Sequence, residues 1–275
     1  EGVVRSSSLF AAAAQITGSA TSLKAGEYEF PSGGSMAKVL RQVREGKVVR
    51  HLVTIPEGVT SEMAVEILMA QPVLTGAAPV PEEGSILPET YEVRRGEDRA
   101  EVLKRMMQAR DKVLAELWSQ RQEGLPFSTP QEAVILASIV EKETGKAEER
   151  PRIAGLFVNR MRTGMRLQSD PTIIYGVTRG RPLGRAILQS EIDAVTPYNT
   201  YAIDGLPVGP IANPGRDSLA AVLDPAQTDE VYFVADGAGG HVFAKTYEEH
   251  QRNVARWRVI KQKQQAAPAP AGKGK

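Results

Sequence analysis

Apolar residues recur at helical spacing along several stretches of the chain. Met36, Val39, Leu40 and Val43 form one stripe, with Ser35 placed to cap it and Gly46 to end it, which predicts a helix over 36–45. Before it, Leu9 to Ile16 is an apolar run far short of the roughly 20 residues a membrane-spanning helix needs. It reads as a helix with Leu9, Ala13 and Ile16 on one side. His51 to Ile55 has strand character and Pro56-Glu57-Gly58 is a turn. Thr60 or Ser61 then caps a short helix through about Ala70, and residues 86–93 supply a second strand. From Asp98 the pattern turns strongly helical. Asp98 with Glu101 fits a capping box, and Val102, Met106, Val113 and Leu117 continue the stripe to about Gln122. Thr129, Pro130 and Glu132 open another helix, which runs to about Thr144. A third spans Pro151 to Arg162, with Ile153, Leu156, Phe157 and Met161 inward and Gly164 as the stop. Residues 165–215 are rich in Gly, Pro, Asn and Tyr. After them, Val231 to Val234 and Val242 to Ala244 form a hairpin around Asp236 to Gly240. Thr246 with Glu249 starts a last helix carrying Trp257.

This order predicts an α+β protein in four parts: an N-terminal α+β subdomain (1–50), a strand–helix–strand unit (51–95), an α-rich α+β domain (96–262) and a disordered tail (263–275). The unit at 51–95 resembles a LysM-like module, a glycan-binding fold. A plain α+β linker subdomain fits the same pattern.

Composition narrows the chemistry by exclusion. With 275 residues, 41% hydrophobic and 24% charged, the chain is ordinary for a globular protein. A net charge of +1 and 5% aromatic residues argue against nucleic acid as a partner. There is no cysteine, hence no disulfide or thiol nucleophile. His51, His241 and His250 lack metal-ligand spacing, so neither a metal nor a cofactor is expected. The chain starts at Glu1, which reads as a truncated or processed end, and any membrane anchor is expected before residue 1.

The helix over 130–144 is apolar almost all round and therefore central. Its end carries Glu141, Lys142 and Glu143 on three different faces. Glu143 lies three, four and seven residues after Val140, Ile139 and Leu136. A carboxyl at the edge of an apolar face, at the negative end of a helix dipole, holds its proton more tightly. That suits a general acid near neutral pH. An ordinary solvated helix end fits the same three residues, and spacing alone does not select the face that opens to a cleft. The later Gly/Pro-rich stretch adds groups suited to sugars: Gln168, Ser169 and Asp170, then Tyr198, Asn199, Thr200 and Tyr201, and Asn213 within a segment too rich in Pro and Gly for helix or strand.

Four segments carry a resemblance: ASIVEKET (137–144), NRMRTGMRLQSDPTIIYG (159–176), TPYNTYAIDGLPVGPIANPG (196–215) and YFVADGAGGHVF (232–243). Together they resemble the endolytic murein transglycosylases (MltG, YceG-like), and LKAGEYEF (23–30) and VTIPEGVTSEMAVEIL (53–68) extend the likeness. The resemblance implies that the second glutamate of EKET, Glu143, is catalytic. It implies a lyase that cuts the β-1,4 bond between N-acetylmuramic acid and N-acetylglucosamine in nascent peptidoglycan strands, leaves 1,6-anhydro ends and terminates strand elongation. It implies a place on the periplasmic face of the inner membrane, an N-terminal anchor and penicillin-binding proteins as synthase partners. Gln168, Ser169, Asp170, Tyr198, Asn199, Thr200, Tyr201 and Asn213 are the candidates for holding the sugars. Two other readings stay open: a hydrolytic muramidase with Asp170 as second carboxylate, and a non-catalytic glycan-binding scaffold.

Overall fold

The computed structural model describes residues 6–266. It opens with two helices, α1 (Ser7–Ile16) and α2 (Met36–Glu45). α2 has the predicted bounds. The Ser35 side chain accepts from the Lys38 N–H, and Gly46 closes the helix at φ 71°, a left-handed conformation that a Cβ would disfavour. α1 turns a different face inward from the one its larger residues suggest. Leu9 and Ile16 are 63% and 87% exposed, and Ala14 is the buried residue. In a helix with alanine on every side, close approach to a neighbour selects a small residue over a large one.

β1 (His51–Thr54) pairs antiparallel with β2 (Thr90–Val93), His51 opposite Val93, and α3 (Ser61–Met69) connects them with Thr60 as its cap. The predicted second strand is shorter than 86–93 because Ile86 and Leu87 turn inward as loop residues before pairing begins. α4 (Arg99–Ser119) starts at Asp98, whose side chain accepts from Ala100 N–H. Glu101 faces Lys104 instead of closing a box. The 21 residues of α4 extend about 30 Å and serve two cores. Val102, Leu103 and Met106 pack with Val53, Ile55 and Leu68, whereas Leu114 joins the core built around the next helix.

That helix, α5 (Pro130–Glu143), begins with the capping box of Thr129 and Glu132, and every residue from Ala133 to Val140 is buried. α6 (Arg150–Arg162) and α9 (Arg216–Leu223) pack on it. Between them, the Gly/Pro-rich stretch holds α7 (Asp170–Thr178) and the short α8 (Gln189–Asp193), while 205–215 remains irregular as its prolines require. β3 (Tyr232–Ala235) and β4 (His241–Ala244) form the expected hairpin, and Phe233 meets Phe157 of α6 edge-on at 6.0 Å. α10 (Tyr247–Ala266) runs past residue 262, so part of the expected tail is helix; residues 267–275 lie outside the described ones. The architecture is α+β: helices dominate, and the strands make two separate two-stranded antiparallel sheets among the described residues.

Candidate active site

The three charged residues at the end of α5 have three different fates. Glu141, 5% exposed at its side chain, accepts from Gly215 N–H at 2.8 Å and from Arg150 at 3.3 Å. Lys142 donates to the Gly58 carbonyl at 3.1 Å. Both therefore bind neighbouring chain. Glu143 alone turns into a cleft of about 440 Å³, shared with Gln168, Asp170 and Tyr201.

The segment before α7 is shaped to reach Glu143. Leu167 and Ser169 are buried, and Gln168 and Asp170 are exposed. Gln168 sits at φ 49°, a left-handed conformation uncommon outside glycine. Backbone bonds hold it there: Gln168 N–H donates to Thr200 O at 3.1 Å and Ser169 N–H to Thr200 Oγ1 at 3.0 Å. Ser169 Oγ then donates to Oε1 of Glu143. Arg160, on α6, donates to the Leu167 carbonyl at 2.6 Å and to the Val231 carbonyl at 2.7 Å. One guanidinium thus joins the Ser169 segment to the start of β3 beside the acid.

Burial pushes the Glu143 carboxyl up to about 7. The Ser169 hydrogen bond pulls against this, the negative Asp170 adds to it, and the Arg160 charge pulls back. Desolvation wins, so a large share of Glu143 is protonated at neutral pH. Tyr201 donates to Asp170 at 2.6 Å, and burial together with that bond raises its phenol above the usual range. The opposite wall was not foreseen from sequence. It consists of Tyr232, Tyr247 and His250, with the His250 ring stacked on Tyr232 at 5.1 Å. Burial and the Arg160 charge hold His250 below the usual imidazole value, hence neutral. Tyr232 and Arg160 fall within two of the four resembling segments; Tyr247 and His250 carry no local signal, being ordinary surface-type residues on a helix.

Four of the residues expected to hold sugars lie elsewhere. Asn199 is buried, its amide donating to the carbonyls of Glu191, Ile192 and Ala194 and its Oδ1 accepting from Tyr201 N–H. Thr200 is buried under Ser169 and Thr172. Tyr198 packs on Tyr175 at 4.8 Å. Asn213 is fully buried at the junction of the two cores: Oδ1 accepts from Ile86 N–H, and Nδ2 reaches Val59 O, Ser61 Oγ and Glu83 Oε1. Long irregular chain must satisfy its own backbone, and these polar side chains do so. Ser169 also does not line the cleft; it bonds the acid from behind.

The profile of the YceG-like family matches residues 1–256. A protein named endolytic murein transglycosylase from Streptococcus pneumoniae (serotype 2, strain D39) is 31% identical over 285 residues, covering 86% of this chain and 51% of that protein. One of the same name from Bacillus subtilis (strain 168) is 33% identical over 172 residues, covering 62% of this chain and 47% of its own length. The chain spans about half the length of these curated relatives. A crystal structure of a yceG-like protein from Listeria monocytogenes superposes with a TM-score of 0.62 at 27% identity, covering 91% of this chain and 90% of that one.

Proposed function

This chain belongs to the YceG-like family, and we propose that it cuts peptidoglycan glycan strands internally as a lytic transglycosylase with Glu143 as its single acid–base group. The observation that carries the reading is the position of Glu143: a carboxyl raised to about 7, in a cleft walled by tyrosines and a neutral histidine. A group that titrates near the working pH gives up a proton and takes one back with similar ease. Protonated Glu143 donates to the glycosidic oxygen as its bond to muramyl C1 breaks. The carboxylate then takes the proton of the muramyl O6 hydroxyl while O6 bonds to C1. No water enters, and the acid is restored. Holding O6 near C1 replaces by proximity what a second carboxylate does in ordinary glycosidases.

Gln168, Asp170 and Tyr201 are the sugar-facing residues of one wall in this proposal, and Tyr232, Tyr247 and His250 those of the other. Arg160 and Ser169 position the acid. Such a substrate puts the site on the periplasmic side of the inner membrane, beside the penicillin-binding proteins that extend the strands. Among the described residues no helix is long and apolar enough to cross a membrane. The strand–helix–strand unit, joined to the rest through Asn213, serves as the LysM-like arm that guides a strand toward the cleft.

A hydrolytic variant of the reaction has one observation in its favour, since Asp170 is an exposed carboxylate in the same cleft. Digestion of purified sacculi decides between them. Anhydro-muropeptides in the mass spectrum are expected, and products heavier by one water would instead mark a muramidase. Absence of any new strand ends would leave a scaffold role.

A further inference from the structure

A second cavity, of about 360 Å³, opens where the start of α3 meets the far end of α7. Asp170, in the catalytic cleft, begins α7, and Arg179, lining the second cavity, is its C-cap. The nine residues of α7 put about 13 Å of helix between the two.

Arg179 is an unusual residue to find there. It holds φ 55°, a left-handed conformation that helix C-caps ordinarily give to glycine. Such backbone positions in side-chain-bearing residues concentrate at functional sites. Its guanidinium lies 5.6 Å from the Tyr175 ring centre and 5.9 Å from the Tyr198 ring centre, within cation–π range, with one N–H side toward the Tyr175 hydroxyl and the residue itself exposed. Arg179 has no carboxylate partner among the described residues, although two acids line the same cavity. Both are engaged already. Glu83 accepts from Ser61 N–H at 2.8 Å, from Asn213 at 3.2 Å and from Tyr175 OH at 3.2 Å. Glu62 faces Arg181 at 3.7 Å. Among the described residues Arg179 is thus the one cationic donor in the lining of this cavity, while both acids already have donors of their own. Beside it, Val80 is 58% exposed and Pro81 adds a second apolar surface.

We propose that this cavity is a subsite for a carboxylate of the short peptide borne by a murein strand, with Arg179 as its anion-binding group and Val80 and Pro81 against small apolar side chains. The proposal rests on the strand-cleaving reading above. An extended peptide of about four residues spans the length of α7 at ~3.5 Å per residue, so a stem attached to a sugar in the cleft reaches Arg179. A planar guanidinium matches a carboxylate with two parallel hydrogen bonds, which an ammonium does not.

The experiment compares peptide-bearing and peptide-stripped glycan strands on the full chain. For both Arg179→Gln and Arg179→Gly, the KM for peptide-bearing strands is expected to rise about tenfold more than that for stripped strands. Glycine suits the local backbone, so the second variant stands if the first folds poorly. Equal changes on the two substrates would overturn the proposal. A second arm titrates a free stem tetrapeptide, and the same peptide with every carboxylate amidated, into the protein by NMR. Shifts at residues 175–181 with the free acid only, lost in both variants, support the subsite even if no strand is cleaved. Identical shifts with the amidated peptide, or none, reject it. A protein that cleaves neither strand yet binds the acid would sink the catalytic reading and leave the subsite standing.

Discussion

Ser169 donates its hydroxyl hydrogen bond to Oε1 of Glu143, and Oε2 has no hydrogen-bond partner among the described residues. The two oxygens of the acid are thereby made unequal. Oε1 accepts from Ser169, which favours charge there, and Oε2 is the oxygen left to carry a proton; in the proposed reaction it is the donor. A carboxyl without such a bond would distribute its proton over both.

Replacing Ser169 with Ala removes a bond that favours the ionised form, so the Glu143 carboxyl moves further above about 7. The alkaline limb of the pH–rate profile for strand cleavage should shift to higher pH, and kcat should fall roughly tenfold from lost orientation. A purely structural serine would lower the amplitude and leave the limb in place.

Glu143→Gln should reduce cleavage by roughly 10²–10⁴-fold while strand binding remains measurable. It should also stabilise the fold at alkaline pH. The folded-state value is about 7 against 4.5 for the free group, so folded and unfolded chains are both protonated below 4.5 and the wild type carries no penalty there. As pH rises from 4.5 to 7 the unfolded chain ionises first, and above 7 the penalty is complete, on the order of 3 kcal/mol. Thermal melts at pH 4 and pH 8 test this: a gain by the variant that is the same at both pH values contradicts the burial of an ionisable acid.

Asp170→Asn removes a negative charge that raises Glu143. Its alkaline limb should move to lower pH, opposite to the Ser169→Ala shift, with less than a tenfold loss of activity. A loss comparable to that of Glu143→Gln would assign Asp170 a direct chemical role and favour hydrolysis.

Asn213→Ala leaves the Ile86 N–H without its acceptor and removes one of the three donors to the Glu83 carboxyl, inside the junction of the two cores. An orphaned buried group costs about 1–3 kcal/mol, so denaturant melts should show a loss of about that size. Specific activity of the folded fraction should stay close to wild type, because the side chain faces no cleft.

Much of this protein was legible in its residues alone. Caps are local: Ser35, Thr60 and Thr129 bond to N–H groups three residues away, and all three begin the helices their positions predict. The apolar girth of α5 made it central, and its last turn put a carboxyl at the rim of the core. Tertiary structure alone decided which of Glu141, Lys142 and Glu143 met the cleft, because the partners of the first two, Gly215 and Gly58, are more than seventy residues distant. The same holds for the other wall, where Tyr232, Tyr247 and His250 reach the site only once the hairpin and α10 fold back over α6. Asn199 and Asn213 show the reverse. An amide that would suit a sugar suits an unpaired backbone group equally well, and only the folded chain settles which it meets.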